Sequence, residues 1–300
     1  MIKRFLDYVE IRTKITSTFA FLMTIALLVY QKQSIDWKLT LVFFASMFLF
    51  DLTTTAINNY IDTKTNDQTL QFERKTALII IYALFGISTA LGLYLAIMSD
   101  IVILLVGGLC FICGIFYTYG PLPISRMPLG EFFSGLFYGV FIPFIIMYVN
   151  TPKGTFLNFD INSQSVSVEL MIVPIASLLL FAIIPFCTTA NIMLANNMCD
   201  LEKDILVKRH TLPYYVGKKS IYLYAGLYYM TYVAMVVMVA LGIISPICLL
   251  SLLTLFIVQK NIKQFMMKQD KATTFILSIK NYVIIMGVNT LLIFIGALFS

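Results

Sequence analysis

The chain has 300 residues, of which 60% are hydrophobic and only 12% are charged, and its mean hydropathy is +0.90. These values exclude an ordinary soluble domain, in which about a quarter of the residues are charged. The formal net charge is +6, because 21 lysines and arginines outnumber 15 aspartates and glutamates. A composition of this kind indicates a protein built mostly of membrane-spanning segments.

Nine long apolar runs follow one another along the chain, each long enough to cross a bilayer as a helix. They lie at residues 15–31, 38–61, 76–98, 100–119, 129–150, 167–196, 220–241, 243–260 and 275–299. The sequence therefore predicts an all-α polytopic membrane protein, with nine transmembrane helices in one bundle and a single domain over residues 1–300. The segment 151–166, between the fifth and sixth runs, is predicted to be a plain solvated loop.

The basic residues predict the orientation of these helices. Of the 21 lysines and arginines, only Lys32, Lys38 and Lys153 fall on the face opposite to the N-terminus, which leaves 18 on the N-terminal face. Since positive residues concentrate on the cytoplasmic side of a membrane, we expect the N-terminus and the loops 62–75 and 197–219 to be cytoplasmic. Topology and contact with anionic lipid explain this charge, and its spread among loops does not indicate a nucleic-acid partner.

Two clusters of asparagine and aspartate interrupt the apolar sequence, each at the end of a long apolar run. The first contains Asn58, Asp62, Asn66 and Asp67, and the second contains Asn196, Asp200 and Asp204. Acidic residues near the membrane are costly unless they bind something, and pairs of hard oxygen ligands suit Mg²⁺ that carries a diphosphate. Helix capping is the alternative interpretation. Two matched copies on one face, each with lysine or arginine nearby, favour the magnesium–diphosphate interpretation.

The spacing within each cluster places its members on one face of a helix. The first stripe is Asp51, Thr55, Asn58 and Asp62, and the second is Asn196, Asp200 and Asp204. Two such stripes that faced each other across a bundle would repel strongly without a divalent cation between them. Asp51 lies deeper in the membrane, and three roles are open for it: support for Asn58, pairing with a buried base, or a hydrogen bond to a neighbouring threonine.

These motifs resemble the two Asp-rich signatures of the UbiA-type intramembrane prenyltransferases, a family with nine transmembrane helices. Further matching segments are Arg12-Thr13-Lys14, Tyr117-Thr118-Tyr119-Gly120-Pro121 with Pro123, Gly130-Glu131, and Lys208-Arg209-His210-Thr211-Leu212 with Gly217. Together they cover residues 12–217. They are more similar to the 1,4-dihydroxy-2-naphthoate polyprenyltransferase branch than to the 4-hydroxybenzoate or haem branches.

The resemblance implies Mg²⁺-dependent transfer of a polyprenyl group from polyprenyl diphosphate to an aromatic acceptor. In the matching branch the acceptor is 1,4-dihydroxy-2-naphthoate, which loses CO₂ to give demethylmenaquinol on the route to menaquinone. The implied metal ligands are Asn58, Asp62, Asn66, Asp67, Asn196, Asp200 and Asp204, with Asp62 and Asp200 essential for catalysis. The implied contacts to diphosphate or acceptor are Lys14, Asn58, Lys64, Tyr117, Arg126, Asn196, Lys208 and Arg209.

The first motif departs from the family's pattern in two places. Asn59 stands where an aspartate often follows the first asparagine, and Asn66 stands where the last acid is expected, with Asp67 beside it. Asn66 can coordinate a metal through its carbonyl oxygen, and a small unwinding of the helix would let Asp67 serve instead. Both are therefore candidate ligands.

Other activities remain open at this stage. One is prenylation of a different aromatic acceptor, such as a 4-hydroxybenzoate-like acid. Another is membrane transport, although a transporter usually carries such polar residues near the bilayer midplane in broken helices, whereas these clusters lie at one interface. A CDP-alcohol phosphotransferase also uses intramembrane aspartates, but its D-G-x-x-A-R motif is missing from this sequence.

Overall fold

A computed structural model describes residues 1–64, 69–120, 123–161 and 164–299. Within these residues, nine helical segments are long and apolar enough to cross a membrane, which agrees with the predicted number. They are Ile11–Tyr30, Trp37–Asp62, Arg74–Met98, Ile101–Thr118, Gly130–Asn150, Ile172–Cys199, Leu212–Ala240, Pro246–Met267 and Phe275–Ala297. The predicted all-α class and the multi-pass membrane character are confirmed.

The chain divides into two compact units, which are described separately. The first comprises residues 1–18 and 36–125, and the second comprises residues 19–35 and 126–300. Helix α2 (Ile15–Tyr30) contributes its first residues to the first unit and the rest to the second. The other helices of the first unit are α1 (Ile2–Tyr8), α3 (Trp37–Asp62), α4 (Arg74–Met98) and α5 (Ile101–Thr118), with a short 3-10 helix at Ile11–Lys14.

Helices α3 and α5 begin at side-chain caps, and α3 approaches α4 through small residues. The Asp36 side chain caps α3 by accepting a hydrogen bond from the Leu39 amide (3.0 Å), and Asp100 caps α5 in the same way. Close to the middle of α3, the Ser46 hydroxyl donates to the Ser88 carbonyl of α4 at 2.8 Å. Small residues at such contacts let membrane helices pack closely.

Helix α1 was not predicted, because it precedes the first apolar run. It ends at Tyr8, which is completely buried with Leu52, Ala56 and Ala77 of the first unit. The Tyr8 hydroxyl donates a hydrogen bond to the Ala56 carbonyl at 3.0 Å. Apolar burial and this hydrogen bond help to dock the N-terminal segment beside the last turns of α3.

The second unit contains the remaining elements. They are α6 (Gly130–Leu136), a π-helical turn at Phe137–Phe141, α7 (Ile142–Asn150), β1 (Leu157–Ile161), β2 (Val166–Leu170), α8 (Ile172–Cys199), α9 (Leu201–Leu206), α10 (Leu212–Val216), a 3-10 turn at Gly217–Lys219, α11 (Ser220–Ala240), a 3-10 helix at Pro246–Thr254, α12 (Leu255–Met267) and α13 (Phe275–Ala297). Buried polar contacts join three of these helices. Asn191 of α8 donates to the Tyr224 carbonyl of α11 at 3.0 Å, and the Tyr224 hydroxyl lies 2.8 Å from that of Ser278 in α13.

The fifth spanning segment packs very closely against the sixth. A Cβ atom on Gly139, within the π-helical turn, would lie only 2.5 Å from the backbone of Phe186 in α8. Glycine is therefore required at this position for the backbones to approach. Pro185 precedes Phe186 inside α8, so both helices depart from regular hydrogen bonding where they meet.

The predicted loop 151–166 and the predicted start of the sixth span at 167 were wrong. Strands β1 and β2 form an antiparallel hairpin in which Leu157 pairs with Leu170 and Ile161 pairs with Val166, and α8 begins only at Ile172. The physical reason is visible in the sequence. Apolar residues alternate with polar ones along both strands, which is the period of a strand and not of a helix.

Candidate functional site

The first Asp-rich motif lies at the C-terminal end of α3 in the first unit. Asn58 and Asp62 are one helical turn apart; Asn58 is half-buried and Asp62, the last residue of the helix, is exposed. The Asn58 Oδ1 atom is buried and has no hydrogen-bond partner among the described residues. Leaving such an oxygen unsatisfied costs about 1–3 kcal/mol. This oxygen, with a carboxylate one turn away, fits the oxygen ligands that Mg²⁺ prefers.

Lys14 is buried deep in the first unit and bonds to Asp51. Its Nζ atom lies 2.8 Å from Asp51 Oδ1, 2.9 Å from the Asp51 carbonyl and 2.5 Å from the Thr55 hydroxyl. The second carboxylate oxygen of Asp51 accepts a hydrogen bond from Ser17 at 2.7 Å. Of the three roles considered for Asp51, the structure shows pairing with a buried base. An ammonium has three hydrogens to donate, so Lys14 can reach a diphosphate only by giving up one of these bonds.

The asparagine that departs from the family pattern has a structural function. Asn59 Nδ2 donates to the Tyr8 carbonyl at the end of α1 (2.8 Å) and contacts Glu10 Oε1 at 3.3 Å. Glu10 itself has a left-handed backbone conformation, with φ of 46°, where the chain turns between α1 and the following 3-10 helix. An aspartate at position 59 could not donate these bonds, which explains why an amide occupies it.

Two basic residues lie around the C-terminus of α3. Arg74 donates to the carbonyls of Tyr60 and Thr63, both at 3.1 Å, and so caps the helix end with a positive charge. The ammonium of Lys64, a predicted diphosphate contact, lies 4.9 Å from the centre of the Tyr60 ring. Asn66 and Asp67, the two candidates for the last ligand of this motif, lie outside the described residues. Tyr117, another predicted contact, is half-buried in the last turn of α5.

The second motif lies at the end of α8 in the second unit and continues into α9. The Asp200 amide donates to the Asn196 carbonyl at 3.0 Å, and the Asp204 amide donates to the Asp200 carbonyl at 2.8 Å. The three residues are therefore one helical turn apart, as the sequence predicted, even though α8 ends at Cys199 and α9 begins at Leu201. Asn196 and Asp200 are half-buried, and Asp204 is buried.

A lysine from a distant loop binds the first two members of this motif. The Lys271 ammonium donates to Asp200 Oδ2 at 2.6 Å and to Asn196 Oδ1. It also lies 4.8 Å from the centre of the Phe275 ring. The sequence does not identify Lys271 as a partner of this motif, because about seventy residues separate them. The amide oxygen and the carboxylate oxygen of this motif thus already converge on one positive charge.

The basic segment after the second motif folds back onto it. Lys208 has a left-handed conformation, with φ of 56°, and is exposed. This reversal lets the Arg209 amide donate to the Asp204 carbonyl at 2.8 Å, and it places the guanidinium 3.7 Å from Asp204 Oδ1. The next amide, of His210, donates to the Arg126 carbonyl at 3.2 Å. The structure therefore brings Arg126, Lys208 and Arg209, all predicted substrate contacts, to the same end of the second unit.

Glu131 is a buried acid beside the second motif to which no function was given from the sequence. The residue is 4% exposed, and its Oε1 atom accepts a hydrogen bond from Asn197 Nδ2 at 2.8 Å. Glu131 Oε2 and Asn197 Oδ1 are both buried without a partner among the described residues. The two consecutive asparagines at 196 and 197 are the feature of the sequence that could have indicated this contact. Asn196 bonds to Lys271, whereas Asn197 bonds to Glu131.

In each motif, the candidate metal ligands are asparagine amide oxygens together with a small number of carboxylates. In the part of the chain that the structure describes, no three His, Cys, Asp or Glu side chains lie close enough to bind a metal ion by themselves. Mg²⁺ is typically bound by only one or two protein carboxylates together with waters and substrate phosphates. The residues present therefore fit a magnesium ion that arrives with a diphosphate.

Fold and motifs define a polytopic α-helical membrane protein with an Asn/Asp motif at the end of its second and sixth spanning helices. The sequence profile of the UbiA prenyltransferase family matches residues 19–281, so the chain belongs to this family. The resemblance found in the sequence is confirmed.

One curated relative and two solved structures illustrate the likeness. The relative is a 1,4-dihydroxy-2-naphthoate octaprenyltransferase of Bacillus subtilis (strain 168), 30% identical over 225 residues. That alignment covers 71% of this chain and 66% of the relative, just under two thirds of its length. A digeranylgeranylglyceryl phosphate synthase structure has a TM-score of 0.67 at 16% identity, over 100% of this chain and 99% of the other. A UbiA homologue from Archaeoglobus fulgidus, bound to DMAPP and Mg²⁺, has a TM-score of 0.60 at 12% identity, over 97% and 99%.

Proposed function

We propose that this protein is a Mg²⁺-dependent polyprenyltransferase of the membrane that prenylates 1,4-dihydroxy-2-naphthoate with loss of CO₂. Family membership supports the reaction class, and the name of the Bacillus subtilis relative supports the acceptor. The observation that carries the proposal is at the second motif, where oxygens of Asn196 and Asp200 converge on a cation, the Lys271 ammonium. We further propose that residues 1–300 work as one prenyltransferase domain, with its N-terminus and both motifs on the cytoplasmic side.

Each motif has a defined part in this proposal. The residues that would bind the metal are Asn58, Asp62 and Asn66 or Asp67 of the first motif, and Asn196, Asp200 and Asp204 of the second. When bound, Mg²⁺ neutralises the diphosphate leaving group and so assists ionisation of the allylic carbon–oxygen bond. Asp62 is exposed and Asp200 is half-buried, and we assign these two carboxylates the essential ligand roles.

Basic and aromatic residues complete the proposed binding of the substrate. Lys64, Arg126, Lys208 and Arg209 supply positive charges for diphosphate oxygens, and the arginines can form two parallel hydrogen bonds to them. Tyr117 offers a ring face to the allylic cation, an attraction worth about 0.5–2 kcal/mol. Lys14 would bind the diphosphate only if its ammonium released Asp51.

The proposed chemistry is electrophilic aromatic substitution. The bond between the allylic carbon and the diphosphate oxygen breaks, and its electron pair leaves with the diphosphate. The ring carbon that bears the carboxylate attacks the allylic cation and forms the new carbon–carbon bond. The bond to the carboxylate then breaks, its electron pair restores the aromatic ring, and CO₂ departs. The products are demethylmenaquinol, CO₂ and diphosphate.

Carboxyl-labelled acceptors test this proposal directly. Membranes that contain the protein, given Mg²⁺, a polyprenyl diphosphate and carboxyl-labelled 1,4-dihydroxy-2-naphthoate, should release labelled CO₂ in step with diphosphate. With 4-hydroxybenzoate the attacked carbon bears hydrogen, so the label would stay on the ring. If 4-hydroxybenzoate is prenylated faster and the naphthoate releases no labelled CO₂, the proposed acceptor is wrong. Absence of any prenylated product in a panel of aromatic acids would contradict the transferase itself.

A further inference from the structure

Lys271 occupies the oxygens to which the second motif would bind its metal. Its ammonium donates to the only side-chain oxygen of Asn196 and to Oδ2 of Asp200, the latter at 2.6 Å. The side chains of Lys271 and Asp200 are 42% and 21% exposed, so the pair is partly accessible to water. A charged hydrogen bond of this length is short for a contact between nitrogen and oxygen.

The loop that carries Lys271 forms several hydrogen bonds within itself. Asp270 Oδ1 accepts from the Thr273 amide and hydroxyl at 2.8 and 2.6 Å, and these bonds lower the pKa of the Asp270 carboxyl. The Asp270 amide donates to the Thr274 hydroxyl at 2.9 Å, which donates in turn to the Lys268 carbonyl at 2.8 Å. Lys271 thus extends from a fixed turn, and its long side chain is the movable part of the contact.

A metal ion and this ammonium exclude each other at the motif. Mg²⁺ binds oxygen at about 2.0–2.1 Å, so an ion on Asn196 Oδ1 would lie within a few ångströms of the Lys271 nitrogen. Two positive charges at that separation repel strongly in a partly buried environment. We propose that Lys271 is an internal competitor for the second motif, and that binding of a divalent cation to Asn196 and Asp200 releases the Lys271 side chain. This inference rests on the proposed function.

Metal binding to the purified protein in detergent tests the competition without measuring turnover. Mn²⁺ is the probe, because it takes the same oxygen ligands as Mg²⁺ and free Mn²⁺ is detected by electron paramagnetic resonance. Lys271→Met should tighten Mn²⁺ binding about fivefold, the equivalent of an ion pair worth about 1 kcal/mol. Lys271→Arg keeps the charge and should bind Mn²⁺ as the wild type does.

Lys268→Met is the matched control. Lys268 lies on the same turn, but its ionic partner is Asp270 at 3.7 Å and not the motif. Its removal changes the net charge equally and should leave Mn²⁺ binding within about twofold of wild type, because exposed charges are well screened. Equal tightening in Lys268→Met and Lys271→Met would overturn the proposal, since general electrostatics would then explain the effect.

Chemical labelling of the wild-type protein tests the release of the side chain. Addition of Mg²⁺ should raise the rate at which an amine reagent modifies Lys271, measured by mass spectrometry, while the rate at Lys268 stays constant. Unchanged labelling of Lys271 under saturating Mg²⁺ would overturn the proposal. Mn²⁺ binding to the Asp200→Asn variant distinguishes an error in the proposed competition from an error in the proposed function. If Asp200→Asn weakens Mn²⁺ binding but Lys271→Met has no effect, only the competition is wrong; if neither variant changes Mn²⁺ binding, the second motif is no metal site.

Discussion

The ammonium of Lys14 lies 2.8 Å from Oδ1 of Asp51, and the two side chains are only 4% and 8% exposed. The contact joins the start of the first spanning helix to the middle of α3, one turn below Thr55. Two hydroxyl groups bond to the pair: the Ser17 hydroxyl donates to Asp51 Oδ2, and the Thr55 hydroxyl accepts from Lys14. Because all three ammonium hydrogens and both carboxylate oxygens of the pair have partners inside the first unit, a structural function explains both residues.

Removal of one partner should destabilise the protein much more than removal of both. Asp51→Leu alone leaves a buried ammonium without its counter-charge, and we expect a loss of about 3–5 kcal/mol in the free energy of unfolding. The double variant Lys14→Met/Asp51→Leu replaces both charges by apolar groups of similar size and should recover most of that loss. Denaturant unfolding of the detergent-solubilised protein measures both values.

The same double variant decides whether Lys14 also binds substrate. If Lys14 is only structural, the folded double variant should keep its KM for polyprenyl diphosphate within about twofold of wild type. A rise in this KM of tenfold or more in a protein of normal stability would show that Lys14 contacts the diphosphate.

The two essential carboxylates should be indispensable for turnover. Asp62→Ala and Asp200→Ala each remove a proposed metal ligand at a helix end, and each should lower the rate by well over tenfold, a barrier increase of more than about 1.4 kcal/mol. Asp160→Ala is the matched control, because Asp160 is an exposed acid of the β1–β2 hairpin. Variants at 62 or 200 that keep a tenth or more of the activity in the labelled-acceptor assay would contradict the ligand roles.

An aspartate at position 59 would resemble the family's pattern more closely and should nevertheless harm the protein. Asn59→Asp loses the hydrogen bond to the Tyr8 carbonyl and places a second carboxylate near Glu10. We expect a destabilisation of about 1–3 kcal/mol, measured by denaturant unfolding. Glu10→Gln in the same chain removes the repulsion between the two acids and should recover only part of the loss. An Asn59→Asp protein as stable as wild type would show that this contact does not hold α1 in place.

The sequence predicted the helices better than the contacts between them. Apolar runs and the four-residue spacing of Asn196, Asp200 and Asp204 are local signals, and both appear in the structure as expected. Strands β1 and β2 were missed because β1 was assigned to the loop 151–166, and most of β2 was merged with the apolar run that begins at residue 167. The contacts of Lys271, and of Asn59 with Tyr8, join residues far apart in the sequence. Such pairs depend on the packing of whole helices, which no local pattern determines.

The cytoplasmic position of both motifs is a prediction from the charge distribution, and cysteine labelling tests it. The five native cysteines are first replaced by serine or alanine. A single cysteine is then placed at Lys64, at Lys203 or at Asn158, each of which is an exposed position. In intact cells, an impermeant thiol reagent added outside should modify only the cysteine at 158, because the other two lie within the Asp-rich motifs on the positively charged face. After permeabilisation all three should react, which controls for the accessibility of each site. Labelling of the cysteines at 64 and 203, but not of that at 158, in intact cells would reverse the assigned orientation.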